Sequence, residues 1–244
     1  GIDITSEQLY DAMRQHREVS TSQPSPGQLM ELWDGILAKG YDEIVYIPMS
    51  SGLSGSCQSA ALFARDYDGK VQVVDNHRIS VTQRESVISA LRLAEQGYDA
   101  GQIREFLEKH AYDASIYITV DSMEYLKKGG RVTPAAATLA TVLNLKPILR
   151  GDEEGHIVTC EKVRGRARAI ANLAARYETR AVHPELQRVA ITHGDCPEDA
   201  QALAERIRAI AEPKELIVCP HEPFTGAHVG PGMLGLFFFG NGRA

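Results

Sequence analysis

Residues 43–64, EIVYIPMSSGLSGSCQSAALFA, run from a short apolar stretch through a loop of Ser and Gly into a segment with helical spacing. Strand followed by helix is the unit of a parallel sheet that helices cover on both faces, so this stretch commits the first half of the chain to an α/β layer. The loop also sets hydroxyls and backbone N–H groups at a helix N-terminus, whose partial positive charge suits a carboxylate or a phosphate. An anion-headed ligand is therefore the first functional expectation.

The alternation continues. Residues 44–47 and 71–74 are apolar runs of strand length, and QRESVISALRLAEQG and DAGQIREFLEKH have helical patterns. Asp99 with Gln102 three residues on predicts a capping box, and Gly97 suits the position after a helix end. The second half has a different pattern. Residues 115–120, 146–150 and 156–163 read as strands, and GDEEG between the last two suits an antiparallel hairpin. RVAITHG, KELIVCP and MLGLFFFG follow, separated by the helical PEDAQALAERIRAIA and by HEPFTGAHVGPG, read as a loop. Hairpin strands with helices on one face make an α+β layer, with a boundary near residues 111–114. The opening GIDITSEQLYDAMRQ enters an amphipathic helix almost at once from a residue that does not initiate translation, so a preceding segment is expected.

A chain of 244 residues, 43% hydrophobic and 24% charged, can bury a full core and is long enough for two domains. Its formal charge of −6 argues against a general nucleic-acid binder. Cys57, Cys160, Cys196 and Cys219 form no CxxC pair, which reads as reduced thiols in a cytoplasmic protein and as neither a zinc site nor a disulfide framework. No apolar run approaches the roughly 18 residues of a membrane span, and residues 1–20 lack the pattern of a signal peptide.

Four elements could carry chemistry. In VSTSQPSP, residues 19–26, Pro24 and Pro26 exclude regular helix and hold Thr21 and Ser22 in an extended loop; the plain alternative is a linker. In MSSGLSGS, Ser50, Ser51, Ser54 and Ser56 lie at the carboxyl end of a strand, where ligands of α/β sheets bind, unless one of them merely caps the helix. In LKKGGRVTP, Gly129 and Gly130 free the backbone and Arg131 offers a guanidinium for phosphate; the alternative is a helix C-cap with solvated Lys127 and Lys128. In GAHVGPG, glycines allow a ligand close to the backbone around His228.

Weaker signals point elsewhere. GLSGS misses the GxSxG nucleophile elbow by one residue, Ser56. His193, Asp195 and Cys196 fit no zinc spacing and read as a strand end. KVRGRARAIANLAAR, with Arg164, Arg166, Arg168 and Arg176, reads as a solvated helix start.

Taken together, TSQPS, IPMSSGLSGSCQSA, MEYLKKGGRV followed by LNLKPIL, KVRGRARA and HVGPG, in this order, resemble the DegV family of fatty-acid-binding proteins over nearly the whole chain, from Thr21 to Gly240. The resemblance implies an N-terminal three-layer α/β/α domain with a parallel sheet, here residues 1–112 without the family's first strand and its hydroxyl loop. It also implies a smaller C-terminal two-layer α/β domain with a mixed sheet, residues 113–244, and a long-chain fatty acid in a tunnel between the two. Thr21 and Ser51 would hold the carboxylate with His228, and Ser54 and Gly230 would border it. In several members the protein is the carrier subunit of a bacterial fatty-acid kinase. A separate ATP-binding subunit phosphorylates the bound acid for phospholipid synthesis, and membrane contact is only transient. By that similarity Arg131 and Lys128 would face the partner or the new phosphate. Two further departures stand out: SGS replaces the usual SGT, and VVDNHRISVTQ replaces a pattern of small residues and could alter acyl-chain preference.

The physics of such a carrier is simple. Moving a tail of about 14 methylenes from water into an apolar tunnel gains about 11 kcal/mol before ordering costs. The head group needs neutral hydroxyl and imidazole donors that do not trap it. AAATLATVLNL and MLGLFFF could line the tunnel, although each also suits ordinary core. No catalysis, metal or cofactor is expected. The rival expectation is a small-molecule kinase or phosphotransferase built on the Gly-rich basic loops, against which stands the lack of GxxxxGK[ST] and of a carboxylate cluster for magnesium.

Overall fold

The computed structural model describes residues 4–132 and 144–239. The chain divides into two units, one of Ser22–Tyr112 with Glu153–Gly155, the other of Gly1–Thr21, Asp113–Asp152 and His156–Ala244.

The first unit has a parallel pair of strands, β1 (Ile44–Tyr46) and β2 (Val71–Val73), and four helices. These are α2 (Pro26–Leu37), α3 (Ser56–Phe63), α4 (Val81–Glu95) and α5 (Ala100–Lys109). Local sequence starts them: Ser25 and Gln28 form a capping box around Pro26 in α2, and Asp99 and Gln102 form the expected one in α5. Gly97 has φ +85°, the left-handed conformation that ends α4. The strands carry apolar residues on both faces, which makes three layers. Trp33, fully buried, packs with Val71 and Val73 on one side, edge-on to Tyr46 and Tyr67 at 5.5 and 5.4 Å. Val45 and Ile47 pack with Leu93, Ile103 and Leu107 on the other.

The second unit is a six-stranded mixed sheet in the order β5-β4-β3-β8-β6-β7. Its strands are β3 (Ala114–Thr119), β4 (Leu145–Gly151), β5 (Ile157–Arg164), β6 (Arg188–His193), β7 (Glu215–Pro220) and β8 (Leu234–Phe239). GDEEG joins β4 to β5 as an antiparallel hairpin, and only β6 and β7 pair parallel. One face is covered by α7 (Arg166–Arg180) and α8 (Pro197–Ile210), whose Leu173, Tyr177, Leu203 and Ile207 meet Ile191 and Phe238 in the core. Each such side chain contributes about 1.5–3 kcal/mol on burial, so these two helices hold the sheet. Alternate residues of MLGLFFF, Leu234, Leu236 and Phe238, belong to this core, whereas residues 135–143 of AAATLATVLNL lie outside the described residues.

Three expectations change. Residues Gly1–Thr21 group with the second unit rather than the first, because Leu9, Tyr10 and Met13 of α1 (Ser6–Arg14) pack with Ala227 and Tyr125; the second unit is the larger of the two, not the smaller. HEPFTGAHVGPG is not a continuous loop: Pro223–Val229 form α9, started by Pro223, whose fixed φ suits a first helical turn. Arg166 is not solvated; it donates to the Gly232 carbonyl at 2.7 Å and pairs with Asp199 at 2.7 Å, tying α7 to α8.

Candidate functional site

In the second unit, Thr21 ends the leading segment and His228 sits in the last turn of α9. Thr21 Oγ1 and His228 Nε2 are 2.7 Å apart. Burial above all, and then the Arg131 guanidinium, push the His228 imidazole below its ordinary pKa, so it is neutral at pH 7. Its Nδ1 is buried without a hydrogen-bond partner. The tautomer with its proton on Nε2 leaves only a lone pair unsatisfied there, and frees the Thr21 hydroxyl to donate to a ligand oxygen. Thr21 and His228 thus stand as a pair, in which the threonine hydroxyl is the donor left for a ligand.

The GGR turn seats that pair. Helix α6 (Glu124–Lys128) ends in Gly129, and Gly130 takes φ +68°. Gly130 N–H donates to the Lys127 carbonyl and Arg131 N–H to that of Leu126, both at 3.1 Å, the two bonds of a Schellman cap. The plain C-cap alternative therefore describes the backbone correctly, and Lys127 and Lys128 are exposed. The cap nevertheless serves the site: a Cβ on Gly129 would lie 2.3 Å from His228 Nδ1, and Arg131 folds back to donate to the Gly129 carbonyl. Gly230, at φ +78°, plays the matching part, since its Cβ would lie 2.2 Å from the Tyr125 ring. A cleft of about 550 Å³ opens here, lined among others by Val19, Thr21, Tyr125, Lys128, Arg131 and His228. Arg17 and Glu18 also line it, and Glu18 lies 3.6 Å from Lys128 Nζ. Nothing in the local pattern of the sequence singled out Tyr125, Arg17 or Glu18.

In the first unit the hydroxyl loop follows β1. Ser50 is buried, with its hydroxyl donating to the Gly155 carbonyl at 3.0 Å. The Ser54 hydroxyl shares a bond with that of Ser56 at 2.8 Å and accepts the Ser56 N–H at 3.2 Å, so it is engaged inside the loop. Among the described residues, the Ser51 hydroxyl takes part in no hydrogen bond. The Ser51 N–H donates to Asp75 Oδ1 at 3.3 Å, and that oxygen is also 3.4 Å from His77 Nδ1. Cys57, in the first turn of α3, has its thiol pushed up to about 12, by burial and then by the Asp75 carboxylate. An anion does stand against this helix start, and the chain supplies it. Asp75 was missed in the sequence, although VVD at a strand's carboxyl end was the available signal.

The model of the DegV family, described as an uncharacterised protein family, matches residues 1–241. The chain belongs to the DegV family. It is 35% identical over 237 residues to a DegV domain-containing protein of Streptomyces coelicolor, covering 97% of this chain and 84% of the relative. Among solved structures, a fatty-acid-binding DegV family protein of Thermus thermophilus superposes with a TM-score of 0.88 at 29% identity, over 97% of this chain and 85% of that one. DegV of Bacillus subtilis, a fatty-acid-binding protein, superposes with a TM-score of 0.83 at 30% identity, over 98% and 85%. The α/β fold, with its small parallel sheet and larger mixed sheet, is the DegV fold. Among the described residues, no helix is long and apolar enough to cross a membrane.

Proposed function

We propose that this chain binds a long-chain fatty acid as a carrier without catalysis of its own, the acyl tail in an apolar tunnel and the carboxylate on Thr21, Ser51 and His228. Ser54 and Gly230 border the head group. The observation that carries the reading is the Thr21–His228 pair at the wall of its cleft, in which a neutral imidazole holds the Thr21 hydroxyl free to donate to a carboxylate. The fatty-acid-binding DegV proteins of T. thermophilus and B. subtilis, both similar over nearly the whole chain, support the ligand class. In this reading the carrier works in the cytoplasm with transient membrane contact. It presents the acid to a separate ATP-binding kinase subunit, toward which Arg131 and Lys128 face, and the acyl phosphate enters phospholipid synthesis.

Native mass spectrometry of freshly purified protein tests the first part, with a co-purified mass in the fatty-acid range as the expected result. Tight binding of ATP and magnesium by the isolated chain would instead favour a phosphotransferase. The reading asks one head group to engage Ser51 of one unit and Thr21 and His228 of the other. A double-mutant cycle of Ser51→Ala and Thr21→Val should therefore show coupling in fatty-acid affinity. Arg131→Ala should spare lipid binding and slow phosphorylation by a partner kinase.

A further inference from the structure

We infer that Asp75 is a release element: its fixed negative charge beside Ser51 weakens the hold on anionic head groups, and weakens it more for a dianion than for a monoanion. The inference rests on the reading above, in which Ser51 holds the head group. Asp75 Oδ1 accepts the Ser51 N–H at 3.3 Å, so any ligand oxygen on the Ser51 hydroxyl sits one residue's breadth from a carboxylate. The helix start that would otherwise favour an anion is already answered by this side chain, through Ser51 and Cys57. Among the described residues, Asp75 pairs with no lysine or arginine. His77 Nδ1 lies 3.4 Å away, and Tyr112 stacks on the His77 ring at 6.3 Å. Glu108, from α5, accepts the Asp75 N–H at 3.2 Å and adds a second carboxylate, itself paired with Arg104 at 3.2 Å. Asp75 thus does two things with one side chain: it fixes the loop by accepting the Ser51 N–H, and it repels what the loop receives. A carrier that must hand on a phosphorylated product gains from the second effect, since a phosphate monoester bears about −1.5 to −2 charges at pH 7 and a carboxylate one.

Asp75→Asn separates the two effects, because the amide oxygen still accepts the Ser51 N–H while the charge is gone. The probes are a C16 fatty acid, the matching primary alcohol and the matching alkyl monophosphate, each titrated against wild type, Asp75→Asn and Asp75→Ala, with circular dichroism as the check on folding. For charges about 6 Å apart in water, Asn should tighten binding about threefold per ligand charge: about threefold for the acid, about tenfold for the phosphate, none for the alcohol. Asp75→Ala should weaken the alcohol, since it loosens the loop, while the lost charge offsets part of that loss for the acid and more of it for the phosphate. Equal change for all three in Asp75→Asn, or none, would overturn the inference and leave Asp75 a loop anchor. If Ser51→Ala leaves acid affinity unchanged, the placement of the head group fails first and the release role with it.

Discussion

The hydroxyl loop of the first unit and the Thr21–His228 cleft of the second were equally conspicuous as polar motifs, yet they differ in what they leave available. The loop uses most of its polar groups within its own unit: Ser50 on Gly155, the Ser51 N–H on Asp75, and Ser54 on Ser56. The cleft holds the Thr21 hydroxyl against His228 Nε2 so that its own proton stays free to donate, and Gly129 makes room for the ring. Richness in hydroxyls therefore does not measure readiness to bind. What counts is the donor capacity left after the fold has satisfied its own acceptors.

The comparison breaks most easily at the glycines of the cleft. Gly230→Ala forces a left-handed residue against the Tyr125 ring and should lower stability by about 3 kcal/mol, read as a fall in the urea midpoint. Gly129→Ala should displace His228 and lower ligand retention. Gly130→Ala, whose Cβ meets open space, should cost only the backbone strain of φ +68°, about 1–2 kcal/mol, with retention unchanged. Equal losses of ligand from the last two would show that the turn, not the seat of His228, matters.

Acid should separate the two units next. His221, buried in the second unit, has its imidazole pushed down from 6.5 to about 4 by burial, with Nδ1 3.1 Å from Thr192 Oγ1. The unfolded chain takes up this proton first, so the stability is fully present above about pH 6.5 and lost as pH falls toward 4, about 2 kcal/mol of it by pH 5. His193 and His228, also pushed down by burial, add to the loss in the same direction. The single tryptophan, Trp33, lies in the first unit, so far-UV circular dichroism should begin to fall at a higher pH than Trp33 emission changes. Coincident transitions would mean that the units unfold as one.

Smaller effects sharpen the site itself. Thr21→Val removes one hydrogen bond and should weaken fatty-acid binding by about 1 kcal/mol with the fold intact, seen by calorimetry. Arg131→Ala removes a positive charge that depresses the His228 imidazole, so the His228 titration should move upward, measurable by NMR.

Local signals were legible wherever one residue's chemistry decided the backbone. The Asp99 capping box, the Gly97 helix end, the GDEEG hairpin and the strand runs all formed where the sequence pattern put them. The α9 helix was hidden because Gly226, Gly230 and Pro231 read as loop, while the helix depends on Gly226 fitting against Tyr10, whose hydroxyl a Cβ would meet at 2.8 Å. The role of Asp75 is not legible locally, because the N–H it accepts belongs to Ser51, 24 residues away.

The sequence alone determined the two kinds of layer, the capped helices and the hydroxyl, GGR and GAHVGPG segments, since hydrophobic period and backbone preference act over a few residues. Only the tertiary structure decided that residues Gly1–Thr21 join the second unit, that Gly129 makes room for His228, and that Asp75 occupies the anion position at α3. Those outcomes turn on contacts between segments far apart in the chain, where packing and leftover hydrogen-bond capacity are settled by what arrives from elsewhere and no local pattern records it.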